Sequence, residues 1–160
     1  LTSIMSTTGN PSVGQPDYSV LASLGPPPYD DRQGYIDWQI KSRKALGSPK
    51  YPLDEKATAQ NAGLAWDRHH DPLAMMRQAV AVIKSGDRTE ELGSIKIPSL
   101  VIHGENDKMI DISGGRATAA AIPGAKLATF EGMGHNLPKP LWPVFAKKIA
   151  DLIHGAESIK

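Results

Sequence analysis

The sequence predicts an α/β fold in which short strands lie parallel and are connected by helices. The last third of the chain alternates strand, loop and helix twice. A proline precedes the short apolar run Ser99–Ile102, which is typical of a strand buried on both faces of a parallel sheet. An alanine-rich helix is then expected over 113–122, because Pro123-Gly124 ends it. A strand, a helix and a second strand in this order favour right-handed crossovers and a parallel sheet.

The remaining elements of this region follow from its periodicity. A second strand is predicted at Lys126–Phe130, and an amphipathic helix over 141–153 closes the region, with Gly155 after its end. The loops over 104–111 and 131–140 leave the carboxyl ends of the two strands, where open α/β sheets bind their ligands. The side chains of the last helix that are expected to face inward are Trp142, Phe145, Ile149 and Ile153.

The chain before residue 94 is predicted to begin with a strand and then to be helical and rich in loops. Leu1–Met5 looks like the interior of a strand, whereas prolines and glycines are dense from Gly9 to Gly34 and predict an extended loop with polyproline character. Helices are expected over 35–46 and 57–66.

A further helix is expected to begin at Asp71 as N-cap, with Pro72 at its first position, and to end at Gly86. Its apolar stripe consists of Leu73, Met76, Val80 and Ile83.

Composition argues against several classes of protein. The formal net charge is +1, which argues against a nucleic-acid surface, and no apolar run approaches the roughly 18 residues that a membrane span needs. The absence of cysteine excludes disulfides and zinc–thiolate sites and fits a cytoplasmic location. We expect no cofactor and no metal, because neighbours such as His69, His70 and Asp71 diverge by about 100° on a helix and cannot easily hold one ion together.

Two polar loops carry the candidate chemistry. Asp107 follows the first strand and His135 follows the second, 28 residues later. Because adjacent parallel strands lie about 5 Å apart, the loops are expected to meet, so that the carboxylate accepts the Nδ1 proton and leaves Nε2 free as a general base. Gly134 suits the tight turn before the histidine. Glu105 is an alternative acid, and His103 is expected to support the end of the strand.

These two segments resemble a known family. Ile97–Asp107 (IPSLVIHGEND) is similar to the late strand and acid loop of the α/β-hydrolase fold family, and Gly132–His135 (GMGH) is similar to its histidine loop. The helix between them, which ends at Ile122–Ala125, matches in place and length, so the resemblance covers roughly 95–153. Small carboxylic-ester hydrolases, such as polyketide methylesterases, are the members that the chain most resembles.

The resemblance implies three parts: a core strand at residues 1–10, a helical cap over 11–93, and a C-terminal α/β core over 94–160. It also implies that Asp107 and His135 are the acid and the base of a catalytic triad. The side chains expected to line an apolar acyl or alkyl pocket are Trp38, Trp66, Met75, Met76 and Ile110.

The nucleophile of such a triad is missing from this sequence. The family's Gly-x-Ser-x-Gly elbow occurs nowhere in it. Asn10–Gly14 comes near, but it lacks the first glycine, and Pro16 opposes the helix that must follow an elbow. Asp111–Gly115 is also similar, but it follows the acid loop and is predicted to be the start of a helix.

The chain is therefore expected to be the C-terminal half of a hydrolase. Leu1 is not an initiator methionine and no basic segment precedes it, which argues against a signal peptide and favours an engineered boundary or a proteolytic fragment. We expect it to need the N-terminal half, as a second chain or as an extension, and to be inactive alone.

Hydrolysis of a carboxylic ester through an acyl-serine intermediate is the function that the resemblance favours. Epoxide hydrolases, dehalogenases and C–C hydrolases share the acid and the histidine, so the absent nucleophile decides among them. A non-catalytic binding module with the same fold is a further alternative.

Overall fold

The computed structural model describes residues 1–157, so Ser158–Lys160, at the end of the predicted C-terminal core, lie outside the described residues. The described part has three strands, β1 (Thr2–Ile4), β2 (Leu100–Gly104) and β3 (Lys126–Phe130). The helices are α1 (Tyr18–Leu24), α2 (Arg32–Leu46), α3 (Glu55–Arg68), α4 (Ala74–Ser85), α5 (Thr89–Leu92), α6 (Ile112–Ala121) and α7 (Trp142–Glu157), with a 3₁₀ turn at Lys139–Leu141.

The described strands form one parallel sheet in the order β1-β2-β3, which confirms the predicted α/β class and the parallel arrangement. Thr2 pairs with Leu100, and Leu100 pairs in turn with Lys126. Since β1 and β2 are neighbours in space, helices α1–α5 form an insertion between two adjacent strands. The carboxyl ends of β2 and β3 lie side by side at Gly104 and Phe130.

The core lies around the central strand. All five residues of β2 are buried because β1 and β3 pair with both of its edges and side chains cover both faces. Phe145 of α7 is buried, packs into this cluster and meets the ring of Phe130 edge-on at 5.0 Å. Met133, from the loop after β3, is fully buried in the same cluster. The core therefore extends to the base of both polar loops.

The extended loop predicted over 9–34 is wrong in part, because it contains α1 and the first turn of α2. Asp17 caps α1 by accepting from the N–H groups of Ser19 and Val20, and Asp31 caps α2 in the same way at Gln33. These two aspartates supply the hydrogen-bond acceptors that helix starts need, whereas the dense prolines between the helices suggested irregular structure throughout.

The helix predicted to start at Asp71 and Pro72 begins later, at Ala74. The Asp71 carboxylate accepts the Leu73 N–H at 2.8 Å and forms a turn before the helix instead of capping it. The apolar stripe of α4 is exposed, with 77% of the surface of Ile83 accessible.

The last helix also departs from the prediction. Gly155 lies inside α7, which continues to Glu157, rather than after its end. Phe145 is buried and Ile149 packs against the core, but Trp142 and Ile153 are about half exposed, so the predicted inward-facing set is wrong for these two. The indole N–H of Trp142 donates instead to the carbonyl of Leu137. Among the described residues, no helix is both long and apolar enough to cross a membrane.

Candidate active site

The loop after β2 holds a buried carboxylate in a fixed orientation. Asp107 is three residues beyond Gly104, and its side chain is fully buried. One carboxylate oxygen, Oδ1, accepts the backbone N–H groups of Met109 and Ile110 at 2.8 and 2.9 Å. These two bonds leave the second oxygen, Oδ2, available to a side chain from the neighbouring loop.

Backbone contacts bring the loop after β3 against the loop after β2. The N–H of Asn106 donates to the carbonyl of Met133, and the side-chain oxygen of Asn106 accepts the N–H of Gly132 at 2.9 Å. A Cβ atom at Gly104 would lie 2.3 Å from the Met133 carbonyl oxygen, so the close approach requires glycine there. The two loops are therefore positioned by each other.

Asp107 and His135 meet where these loops join, as the sequence predicts. Nδ1 of His135 and Oδ2 of Asp107 are 2.8 Å apart, and the imidazole is 30% exposed while the carboxylate is fully buried. Within residues 1–157, no group hydrogen-bonds to Nε2 of His135. A carboxylate on Nδ1 fixes the tautomer in which Nε2 is unprotonated, which is the form that can accept a proton.

A second histidine, His103 on strand β2, contacts the acid loop. Its Nε2–H donates to the carbonyl of Ile110 at 2.9 Å and lies 3.6 Å from Oδ2 of Asp107. The ring is fully buried against Gly115 of α6, and its Nδ1 has no hydrogen-bond partner within the described part of the chain. His103 thus supports the loop that follows its strand. Glu105, the alternative acid, accepts the hydroxyl of Thr129 on β3 and not the imidazole of His135.

Asp111, at the start of α6, stabilises the far end of the acid loop. Its carboxylate accepts the Ser113 N–H at 2.9 Å and caps α6. The Ser113 hydroxyl and backbone N–H together hold the pKa of Asp111 below its ordinary value. At the start of α3, the backbone N–H of Ala57 and then the Lys139 ammonium lower the pKa of Asp54, the N-cap of that helix.

A cavity of about 720 Å³ adjoins His135 between helices α2 and α3 and the histidine loop. Two of the predicted pocket residues, Trp38 and Met75, line it. Trp66 instead packs between helices α2 and α3, with its ring centroid 5.2 Å from that of Tyr35, and is stacked on His70. Met76 and Ile110 are not among the described lining residues. Sequence reasoning missed the apolar lining residues Met5, Leu46, Leu53, Met109 and Trp142.

The other candidate groups lie elsewhere. Asp71 is ion-paired with Arg77, and no cluster of histidine and acidic residues in 1–157 has the arrangement needed to hold a metal ion. Ser12 and Ser113, from the two segments that resemble the elbow motif, line a separate cavity beside the acid loop.

Solved structures with the same architecture include an esterase from Rhodococcus sp., which matches 97% of this chain with a TM-score of 0.64 at 20% identity. A meta-cleavage product hydrolase from Pseudomonas fluorescens matches 97% of it with a TM-score of 0.66 at 15% identity. The chain has the α/β-hydrolase fold. The sequence resemblance is thereby confirmed at the level of the fold, and the paired acid and histidine loops lie at the carboxyl edge of that fold's sheet.

Two curated proteins match parts of this α/β-hydrolase chain in sequence. A non-heme chloroperoxidase from Kitasatospora aureofaciens is 42% identical over 52 residues, which is 32% of this chain and 19% of the relative. A bifunctional esterase/perhydrolase from Acinetobacter calcoaceticus is 30% identical over 71 residues, or 44% of this chain and 23% of the relative. No family model matches.

The α/β-hydrolase chain accounts for 55% of the length of each of the two solved structures. The segments that match the two curated relatives cover about a fifth of the length of each relative.

Proposed function

We propose that this chain supplies the acid and the base of a serine-type α/β-hydrolase that cleaves carboxylic esters. The observation that carries the proposal is the 2.8 Å contact between Asp107 and His135 at the edge of a cavity. A buried carboxylate on Nδ1 and a partly exposed imidazole with a free Nε2 are the arrangement that general-base catalysis needs.

His135 would transfer the protons of the reaction. Its Nε2 takes the proton of a serine hydroxyl as that oxygen attacks the ester carbonyl, and returns the proton to the leaving alcohol. In the second half, Nε2 takes a proton from water, whose oxygen attacks the acyl-serine, and returns it to the serine oxygen as the acid leaves. Asp107 orients the ring and stabilises the imidazolium that forms in each step.

The nucleophile and the oxyanion-stabilising donors would come from a segment outside these 160 residues, the N-terminal half of the same hydrolase. The sheet supports this part of the proposal. Strand β1 pairs on one side with β2 and leaves its other edge unpaired among the described strands. An open edge of a parallel sheet is a site for another strand, because its backbone N–H and C=O groups lack partners.

The cavity favours an ester with an apolar acyl or alkyl group. Trp38 and Met75 offer such a group a ring face and a flexible thioether, and Met109 adds a second thioether beside the acid loop. Two other predicted pocket residues would act less directly. Trp66 packs against Tyr35 within the cap, and Met76 is 57% exposed.

The experiment is turnover of p-nitrophenyl acetate and butyrate by the protein that carries its N-terminal half. We expect Asp107→Asn to lower kcat by roughly 10⁴-fold and His135→Ala to lower it by roughly 10⁴- to 10⁶-fold, as removal of a triad member does in other serine hydrolases. His69→Ala is the matched control, because its side chain is exposed on the cap, and it should retain full turnover. Undiminished turnover by His135→Ala would overturn the proposal.

Perhydrolysis is a second candidate, because one curated relative is named an esterase/perhydrolase and another a non-heme chloroperoxidase. Hydrogen peroxide would replace water in attacking the acyl-serine, so that a peracid leaves instead of an acid. Peracetic acid formed from acetate and hydrogen peroxide, and lost in His135→Ala, would add this activity to the proposal. An aspartate at the elbow in place of serine would favour the dehalogenase or epoxide hydrolase alternative, and no nucleophile at all would favour a binding module.

A further inference from the structure

The end of cap helix α2 is attached directly to the histidine loop. The carbonyl of Leu46, the last residue of α2, accepts the backbone N–H of His135 at 2.8 Å. Two residues later, the hydroxyl of Ser48 accepts the backbone N–H of Gly134 at 2.9 Å and donates to the side-chain oxygen of Asn136 at 2.5 Å. Three consecutive residues centred on the candidate base are therefore held by one turn of the cap.

The two backbones touch at glycines. A Cβ atom at Gly134 would lie 2.1 Å from the carbonyl oxygen of Gly47, closer than any side chain permits. Both residues belong to the segments joined by Ser48. The close packing of the two backbones restricts any shift of one segment relative to the other. The cap and the histidine loop therefore form one tightly packed unit at this point.

Ser48 is the side chain on which this attachment depends. It is 9% exposed, and its one hydroxyl joins the residue before His135 to the residue after it. The N–H of Gly134 lies in a buried hydrogen bond, so without the hydroxyl it would be left without an acceptor. Of the hydrogen bonds that this turn makes to residues 134–136, the one from the His135 N–H to the Leu46 carbonyl would then remain.

We propose that Ser48 is a positioning residue that sets the backbone of His135 and couples the cap to the catalytic base. The inference rests on the proposed function, since it concerns the same histidine. Ser48 is not among the described residues that line the cavity beside His135, and it would act through the residues on both sides of that histidine. A catalytic group displaced by about 1 Å can lose on the order of 100-fold in rate.

The test compares the kinetics of Ser48→Ala with those of the unchanged protein, both carrying the N-terminal half, with p-nitrophenyl acetate as substrate. The rates are divided by the concentration of active sites, which is titrated with a fluorophosphonate. We expect kcat to fall on the order of 10- to 100-fold while KM changes less than about twofold, because His135 and not the substrate is displaced. The acid-side inflection of kcat/KM against pH should also move, since a shifted loop changes the contact between His135 and Asp107. Ser48→Thr keeps the hydroxyl and should recover most of the rate.

Two further variants keep the inference falsifiable if Ser48→Ala does not fold. Asn136→Ala removes one of the two partners of Ser48 and should lower kcat by a smaller factor than Ser48→Ala does. Ser94→Ala removes an exposed serine hydroxyl that donates to the carbonyl of Glu91 in the neighbouring helix α5, and it should behave as the unchanged protein.

The outcomes separate the two proposals. If His135→Ala keeps its turnover, the proposed function fails. If His135→Ala is inactive but Ser48→Ala and Asn136→Ala keep kcat and the pH profile, with at most a lower Tm, Ser48 is a structural residue only and the positioning inference is overturned.

Discussion

Gly115 of α6 provides the space for the ring of His103. A Cβ atom at Gly115 would lie 2.4 Å from Nδ1 and 2.7 Å from Cγ of that imidazole. In an open helix, replacing glycine with alanine is favourable by roughly 0.5–1 kcal/mol, but here the methyl would overlap a ring that is fully buried and bonded to Ile110. We expect Gly115→Ala to lower the free energy of unfolding by about 1–3 kcal/mol, measured by urea titration.

Gly155 of α7 is the matched control for this substitution. It also lies in a helix, but nothing is within 4 Å of a Cβ atom built there. Gly155→Ala should therefore leave the unfolding midpoint unchanged or raise it slightly. A Gly115→Ala protein as stable as Gly155→Ala would show that His103 moves aside without cost, and that the ring is not fixed by its bond to Ile110.

For individual residues, the sequence predicted those contacts whose two partners follow neighbouring strands. Asp107 and His135 could be paired because each follows a recognisable strand and because parallel strands bring their ends together. Ser48 could not, because its contact joins residues 88 positions apart that belong to the segment after α2 and to the histidine loop. No periodicity in the sequence encodes where a helix end will meet a distant loop.

Among the helices, α6 shows how a single cap contributes to stability. Asp111 accepts the Ser113 N–H, and its pKa is held below the ordinary value of 3.8, chiefly by the Ser113 hydroxyl. A depressed carboxyl pKa stabilises the fold above the unfolded value, and this contribution is lost as pH falls through the folded pKa. We expect Asp111→Ala to cost about 1 kcal/mol at neutral pH, with the difference shrinking below about pH 4.

Thermal unfolding across this pH range measures the effect, and Asp111→Ser provides the control. Serine keeps a neutral capping oxygen, so it should lose less stability than alanine at neutral pH and show little pH dependence of its own. A loss in Asp111→Ala that is the same at pH 7 and below pH 4 would indicate that the charge of the cap is irrelevant.

The strands were easier to predict than helices α1–α5. Strand β2 begins with three apolar residues and is buried on both faces, and β3 was predicted with the bounds that it has. Helix α1 was missed because its Asp17 cap lies among prolines and glycines that favour loops. The start of α4 was predicted wrongly because the Asp71 carboxylate accepts a backbone N–H two residues later in a turn, as an aspartate also does when it caps a helix.

The molecule as a whole exposes more surface than its size requires. Its accessible area is 9878 Å² for 17.2 kDa, whereas a compact monomer of that mass exposes about 7,800 Å². The excess is of the order of one side of a large protein interface. Exposed apolar side chains contribute to it, among them Leu64, Val82, Ile83 and Ile97.

The excess of exposed surface and the open edge of β1 lead to a prediction about the protein that carries the N-terminal half. With the N-terminal half present, backbone amides of residues 1–5 should exchange hydrogen more slowly than in the 160-residue chain alone, because a second strand would cover β1. Peptide-level hydrogen exchange by mass spectrometry measures the difference, with α3 peptides as an internal reference. Equal exchange of residues 1–5 in both proteins would contradict pairing at this edge.

The neighbouring positions of Thr2 and Leu100 in the sheet have a consequence for engineering and for evolution. The segment that carries α1–α5 connects the adjacent strands β1 and β2, so its length can change at little entropic cost, about 0.6 kcal/mol for each doubling of a flexible connection. A cap taken from another protein could be grafted at these two points without altering the register of the sheet. Such a graft would need a hydroxyl side chain at the position of Ser48, shortly after the end of its first long helix. Without that hydroxyl, the grafted segment would no longer position His135.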